Sequence, residues 1–299
     1  MTDLQLGTGL AQYTAAAEAA CNQVIAQYST SFGWATKLLS RAIRQPVRNI
    51  YALVRVADEI VDGAAGQARA AGGKIDPASA LDHYESEVYR ALADGFATDL
   101  VIHAFANTAR DCGFGRELIE PFFASMRADL TQTVHDDESL ATYIYGSAEV
   151  VGLMCLAAFI RHGGVEYSQD EKLALAAGAR ALGSAFQKVN FLRDLAADFN
   201  SLGRSYFPGV TAANFTDAQR DSLVAEIDAE LAIASKELPH LPRGCAKAVA
   251  AALLLFAELN RKISKTPAAR LAKTRIRVSN PRKIVLIARA YLGSGAANG

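Results

Sequence analysis

The sequence predicts an all-α fold, a single-domain bundle of many helices, on three observations. Ala is abundant and apolar residues recur at spacings of three and four along nearly every long segment. No segment sustains the period-two alternation of β-branched residues that a half-buried strand requires. The breaks fall where helix punctuation belongs.

The expected helices follow in order: roughly 9–27, 30–42, 46–64, 78–94, 97–112, 115–132, 138–162, 169–200, 216–236, 242–265 and 281–292. Asp76-Pro77 precedes the fourth, Gly163-Gly164 follows the seventh, and Thr216-Asp217 caps the ninth. Between the third and fourth, the stretch 63–73 is rich in Gly and Ala and reads as a loop, a candidate lid. It and the loop near 201–209 are too short to separate domains, and no tandem repeat is present, so 1–299 reads as one unit. Bundles place their sites in the core, on residues from facing helices.

Composition narrows the function. The chain is 299 residues, 51% apolar, with eight prolines, which is enough to bury a large core. The four cysteines, Cys21, Cys112, Cys155 and Cys245, show no CxxC or Cys/His spacing and read as buried free thiols in a reducing compartment. The N-terminus has no basic region before an apolar run, and no uncharged apolar run reaches a membrane span's length. A cytoplasmic location is therefore expected. Net charge is zero but uneven. No acidic residue follows Glu258, whereas ten basic residues do. That segment suits an anionic membrane surface or a phosphorylated ligand. Its basic residues are not interleaved with aromatics, so no nucleic-acid partner is expected.

Two stretches carry the chemistry. On a helix, Arg48, Tyr51, Arg55, Asp58 and Asp62 fall within roughly an 80° arc. Ala52, Leu53, Val54, Val56, Ile60 and Val61 cover the remaining surface. In NFLRDLAADF, the residues Gln187, Asn190, Asp194 and Asp198 share a similar arc of about 80°. One DxxxD alone is ordinarily a solvated face or a set of i, i+4 ion pairs. Two such stripes on otherwise apolar helices are costly unless a cation compensates them. Carboxylate and amide oxygens suit Mg²⁺, which binds a few carboxylates together with substrate phosphates. Arg48, Arg55 and Arg193 would then donate to those phosphates.

The stretches DEIVD and QKVNFLRDLAAD, followed by GRSYFP, resemble the squalene/phytoene synthase family. So do YSTSF (28–32), YIYGSAEVVGLM (143–154) and RIRVS (275–279), and the likeness runs almost the whole chain. The resemblance implies the isoprenoid synthase type of bundle with a central cavity. It implies head-to-head joining of two prenyl diphosphates through a cyclopropyl diphosphate. By the same resemblance Asp58, Asp62, Asn190, Asp194 and Asp198 hold Mg²⁺, with Mn²⁺ as the alternative ion. Tyr51, Arg55 and Arg193 order the diphosphates, Gln187 lines the cavity, and Arg275 contacts a diphosphate. Ser29, Ser31 and Phe32 border the substrate pocket.

The wording of 190–209 is most similar to bacterial phytoene synthases of carotenoid pathways. That implies geranylgeranyl diphosphate as substrate, no NADPH, and other carotenoid enzymes as neighbours. Peripheral contact with the inner face of a membrane is expected, through the basic segment and KIVLIARAYLG (283–293). Two rivals remain: a C30 synthase using farnesyl diphosphate, and a non-catalytic assembly factor, which should have lost metal ligands. Three positions depart from the family's pattern. Tyr28 stands where some relatives have His, and Asn260 where many have Tyr. Glu149 stands where a small residue is usual, either at the surface or as a further polar group near the cavity. Phe32, Phe122, Phe123, Phe186 and Phe191 are candidate walls for an apolar tunnel, against plain core packing.

Overall fold

The computed structural model describes residues 9–197, 204–211 and 213–293; within helices the side chains of Thr30, Ser31, Phe32, Trp34, Ala197 and Gly293 fall outside the description. Asp198 lies outside the described residues. Fourteen α-helices are described: α1 Gly9–Tyr28, α2 Thr30–Lys37, α3 Arg41–Val61, α4 Ala64–Ala70, α5 Pro77–Asp94, α6 Leu100–Cys112, α7 Arg116–Ala128, α8 Asp137–Ile144, α9 Val150–His162, α10 Gln169–Ala197, α11 Asp217–Glu237, α12 Arg243–Ser264, α13 Ala268–Leu271 and α14 Asn280–Gly293. A π-turn, Tyr145–Glu149, joins α8 to α9, and a 3₁₀ turn, Leu238–His240, follows α11. Among the described residues the β contact is one isolated bridge, Val134 to Ser205.

The helix ends follow from their side chains. Asp76 accepts from the Ser79 amide, with Pro77 at the first position. Asp99 does the same for the Ile102 amide. Asp136 with Ser139, and Thr216 with Gln219, form reciprocal capping boxes. Gly95, at φ 79°, closes α5 in the left-handed region.

The third helix starts earlier than the expected 46. It begins at Arg41, so Pro46 lies in the second turn rather than the first. A proline there removes one helical hydrogen bond. Burial outweighs that loss: Ile43 and Val47 pack with Leu39, Phe159 and Cys245 in one apolar cluster. The preceding expected helix stops at Lys37 instead of 42. The stretch 63–73 also contains a short helix, α4, whose Ala64 amide donates to Glu59 at 2.9 Å.

Helix α3 packs against α1, α5, α6 and α9, while α10 packs against α9, α11 and α12. The segment from α8 through the π-turn to α9 thus lies between the two predicted stripe-bearing helices. By length and composition Asp137–His162 could cross a membrane. Here it packs against α3, α7 and α10. Two glycines let the π-turn approach its neighbours. A Cβ on Gly146 would overlap the Pro121 carbonyl and Ser125 hydroxyl of α7; one on Gly183 of α10 would reach the Ala148 carbonyl at 2.7 Å. Such turns recur at functional sites.

Behind α10, Glu258 fastens α14 to α12. It accepts from Arg261 at 2.8 Å and from Arg282 at 3.1 Å, and its side chain is 6% exposed. The two guanidinium groups themselves cover it, and their hydrogen bonds hold its carboxyl down at about 2.

Candidate active site

Helix α3 carries its stripe as expected. Ala52, Leu53 and Ala57 are fully buried in the core, whereas Arg48, Tyr51, Arg55 and Asp58 are half-buried along one side. Arg55 pairs with Glu59, approaches Asp58 at 4.0 Å, and stands 4.4 Å over the Tyr28 ring. Tyr28 is therefore a cation–π partner of a stripe residue. Tyr51 meets Ser29, and burial raises its phenol above the usual range. Arg48 donates to Asn22 at 2.9 Å. The Nε atoms of Arg48 and Arg55 are buried with no partner among the described residues.

Asp58 is the under-compensated acid of this group. Its side chain keeps 40% of its surface accessible, yet the neighbouring protein desolvates it. Burial pushes its carboxyl up to about 7; Asp129, Asp62 and Glu59 add to the rise and Arg55 opposes it.

Asp62 is engaged differently. Arg204, from the GRSYFP loop, donates to both of its oxygens at 2.5 and 2.8 Å. The same guanidinium lies 3.5 Å from the Asp129 carboxylate and also donates to the Asp129 carbonyl. Asp129 in turn accepts the Tyr143 hydroxyl at 2.8 Å, and the Tyr143 and Tyr206 rings stand 5.5 Å apart. His135 stacks on Tyr206 at 5.9 Å. Arg204 and Asp129 are 7% and 5% exposed at their side chains. This cluster, buried at Arg204 and Asp129 and open at Asp62, ties the end of α3 to the end of α7 and to the loop after α10.

Helix α10 carries the second group. Asp194 accepts from Arg193 at 2.6 Å and from Arg275 at 2.7 Å. Arg275 arrives from the segment between α13 and α14, so the expected C-terminal arginine does reach the second acidic motif. Gln187 and Asn190 are half-buried on the same helix. Of the candidate wall residues, Phe122 and Phe123 are fully buried edge to face in the core. Phe191 stacks on Tyr206 at 3.9 Å, and Phe186 on Phe256 at 3.6 Å. Phe122, Phe123 and Phe191 are thus core packing, while Phe186 is half-buried.

The donor set fits Mg²⁺. Asp58, Asp62 and Asp194 offer carboxylates and Asn190 an amide oxygen, all hard ligands. The raised Asp58 carboxyl marks negative charge that its neighbours leave uncompensated. The orphaned donors of Arg48 and Arg55 suit an anion such as diphosphate.

A cleft of about 780 Å³ lies on a neighbouring face of α10, lined by Tyr145, Glu149, Arg180, Ser184 and Lys188 among others. It holds none of the acidic-motif residues. Glu149 pairs there with Arg180 at 2.6 Å, as a polar group of this cleft. Asn260 is fully buried and bonds Asp228 at 2.8 Å and the Val224 carbonyl at 3.1 Å, which ties α12 to α11. Sequence reasoning assigned no role to Arg204, Asp129, Tyr143 or His135. An arginine inside the uncharged remainder of GRSYFP was the available signal.

Known proteins place this arrangement. The family profile described as squalene/phytoene synthase matches residues 25–282. The 15-cis-phytoene synthase of Paracoccus sp. is 31% identical over 260 residues, covering 81% of each chain. A phytoene synthase of Arthrospira platensis is 29% identical over 70% of this chain and 66% of its own length. Among solved structures, a dehydrosqualene synthase superposes with a TM-score of 0.77 at 22% identity, over 95% of this chain and 99% of that one. A squalene synthase from Alicyclobacillus acidocaldarius gives 0.70 at 21% identity, over 88% and 97%. These structures share the fold, an all-α bundle of the isoprenoid synthase type. With its acidic motifs and almost its whole length matched, the chain belongs to the squalene/phytoene synthase family.

Proposed function

We propose that the protein joins two geranylgeranyl diphosphates head to head, by way of a cyclopropyl diphosphate, to give phytoene and free diphosphate. The observation that carries this reading is the pair of acidic groups on α3 and α10, each with arginines beside it, Arg55 near Asp58 and Arg193 and Arg275 on Asp194. The relatives named phytoene synthase, at about 30% identity, favour the C20 substrate. Asp58, Asp62, Asn190 and Asp194 would hold Mg²⁺, or Mn²⁺ in its place, with Asp198 as a further ligand by resemblance. When bound, the metal neutralises charge on the diphosphate oxygens. Arg48, Arg55 and Arg193 would grip the same oxygens and keep the leaving group oriented, and Arg275 would join them once released from Asp194. Tyr51 and Ser29 hold each other at the near side of the stripe, while Gln187 would line the cavity. The surrounding apolar helices exclude water from the allylic cation. No NADPH is required on this reading.

The test is direct. Purified protein with Mg²⁺ and either geranylgeranyl or farnesyl diphosphate, with and without NADPH, is expected to give a C40 hydrocarbon from the first without reductant, read by mass. A C30 product would move the chain to the squalene or dehydrosqualene reading. No product from folded protein would favour a non-catalytic role.

We also propose peripheral membrane contact, on the cytoplasmic side, through α14. Leu286 and Ala290 are buried, whereas Ile284, Val285, Tyr291 and Leu292 are 56%, 53%, 57% and 74% exposed. The exposed four share roughly a 120° arc, flanked by Lys283 and Arg289. Sedimentation with anionic vesicles should carry the protein down, and Ile284→Ser with Leu292→Ser should leave it in the supernatant. Equal sedimentation of both proteins would exclude α14 as the contact.

A further inference from the structure

Helices α6 and α9 end at the same place, and their last residues are chemically unusual. Cys112 is the last residue of α6 and His162 the last of α9. Asp111 precedes Cys112. One ligand atom from each of Asp111, Cys112 and His162 lies within 4.8 Å of the other two. His162 Nε2 is 3.1 Å from Asp111 Oδ2 and 3.9 Å from Cys112 Sγ. We propose that these three side chains form a binding site for a thiophilic divalent cation, Zn²⁺, unconnected with the acidic motifs.

The geometry is close to what such an ion needs. With Zn–S about 2.3 Å and Zn–N or Zn–O about 2.0–2.1 Å, a tetrahedron has edges of about 3.6 Å for S···N and 3.3 Å for N···O. The two distances from His162 differ from these edges by a few tenths of an ångström, and Cys112 Sγ and the Asp111 carboxylate lie within 4.8 Å of each other. The donor set is a thiol, an imidazole and a carboxylate, which suits zinc and not magnesium. Three protein ligands leave a fourth position, and Asp111, 44% exposed at its side chain, keeps the site open to a water.

Two further features favour a cation here. The carboxyl ends of both helices converge on the site, and each carries partial negative charge. Arg161 donates to Asp111 Oδ1 at 2.9 and 3.1 Å, which leaves Oδ2 turned toward His162. It thus orients a ligating carboxylate from outside, as outer-shell partners of metal ligands do. On binding, the thiol proton passes to solvent. Thiolate and carboxylate then balance the ion, and the imidazole stays neutral. The ion would clamp α6 to α9, both of which pack against α3 and its acidic stripe.

Cobalt gives the readout. Full-length protein freed of metal with chelator is titrated with Co²⁺ alone. The expected result is a thiolate-to-cobalt charge-transfer band in the near ultraviolet, saturating at one equivalent, with intense tetrahedral visible bands. Oxygen ligands on the acidic motifs yield neither. Zn²⁺ should bleach the signal and raise the melting temperature. Cys112→Ser, checked for folding by circular dichroism and for retained prenyl transfer, should lose the band and the thermal shift. His162→Gln should weaken cobalt binding at least tenfold. Absence of the band in the parent protein, or its survival in Cys112→Ser, would overturn the proposal and leave an ordinary His162–Asp111 ion pair. Prenyl transfer is scored separately, so failure here leaves the catalytic reading intact.

Discussion

Asp58→Asn is expected to cut prenyl transfer by about 10³-fold while raising the melting temperature of the metal-free protein at mildly alkaline pH. The two effects share one cause. In the folded chain the Asp58 carboxyl is pushed up to about 7, from 3.8 in an unperturbed side chain, first by burial and then by neighbouring acids. Between those values the native state keeps a proton that the unfolded state releases. Stability therefore falls as pH rises from about 4 through 7, and stays lower above. Asparagine has no such charge to desolvate. The variant should gain over the parent at about pH 8 and show little difference near pH 4. Mg²⁺ should narrow the gap by stabilising the parent more. Asp194→Asn is the contrast: it should lose as much turnover with no gain in stability, because Arg193 and Arg275 already compensate that carboxylate. Thermal scans at the two pH values, alongside turnover, check both. An Asp58→Asn protein less stable than the parent at alkaline pH would refute the electrostatic account.

The second large effect belongs to Arg204. Arg204→Ala should destabilise the protein by about 3–5 kcal/mol, as removing one partner of a buried ion pair does. For a chain of this size that lowers the melting temperature on the order of 10 °C. The alanine leaves Asp129 buried with its charge unmatched, and it removes both hydrogen bonds that Arg204 donates to the Asp62 carboxylate. Arg204→Lys keeps the charge but not the fork that spans two oxygens, so it should recover only part of the loss. Tyr143→Phe removes one hydrogen bond to Asp129 and should cost about 1–2 kcal/mol. Chemical denaturation of the three variants gives the order. A near-neutral Arg204→Ala would show that the cluster is solvated.

Both acidic stripes were legible because they are local. Asp58 and Asp62, or Asn190 and Asp194, declare themselves by helical spacing against apolar neighbours. The capped helices α5 and α11 were legible for the same reason, since their caps lie within four residues. What spacing cannot show is which distant charge meets which. Arg204 reaches Asp62 across 142 positions, and Arg275 reaches Asp194 across 81. The start of α3 was misplaced by five residues, because the burial of Ile43 and Val47 that accompanies its first turns is tertiary. The π-turn leaves no mark in the residue pattern. It depends on Gly146 and Gly183 meeting α7 and α10, contacts that exist only after the helices dock.

The Arg204–Asp62 contact also sets when the acidic site can exist during folding. Its two ends belong to different regions, Asp62 beside the first apolar cluster and Arg204 in the loop next to the second. Closing a loop of 142 residues costs about 4 kcal/mol in chain entropy. One ion pair formed early, in water, would return less than that. The contact becomes favourable only after the two apolar clusters have docked, which closes the loop and buries Arg204. It therefore cannot serve as a folding nucleus. A chain with most of its helices formed and its halves undocked would be helical in every spectroscopic sense and yet lack the arrangement of charges that the chemistry needs.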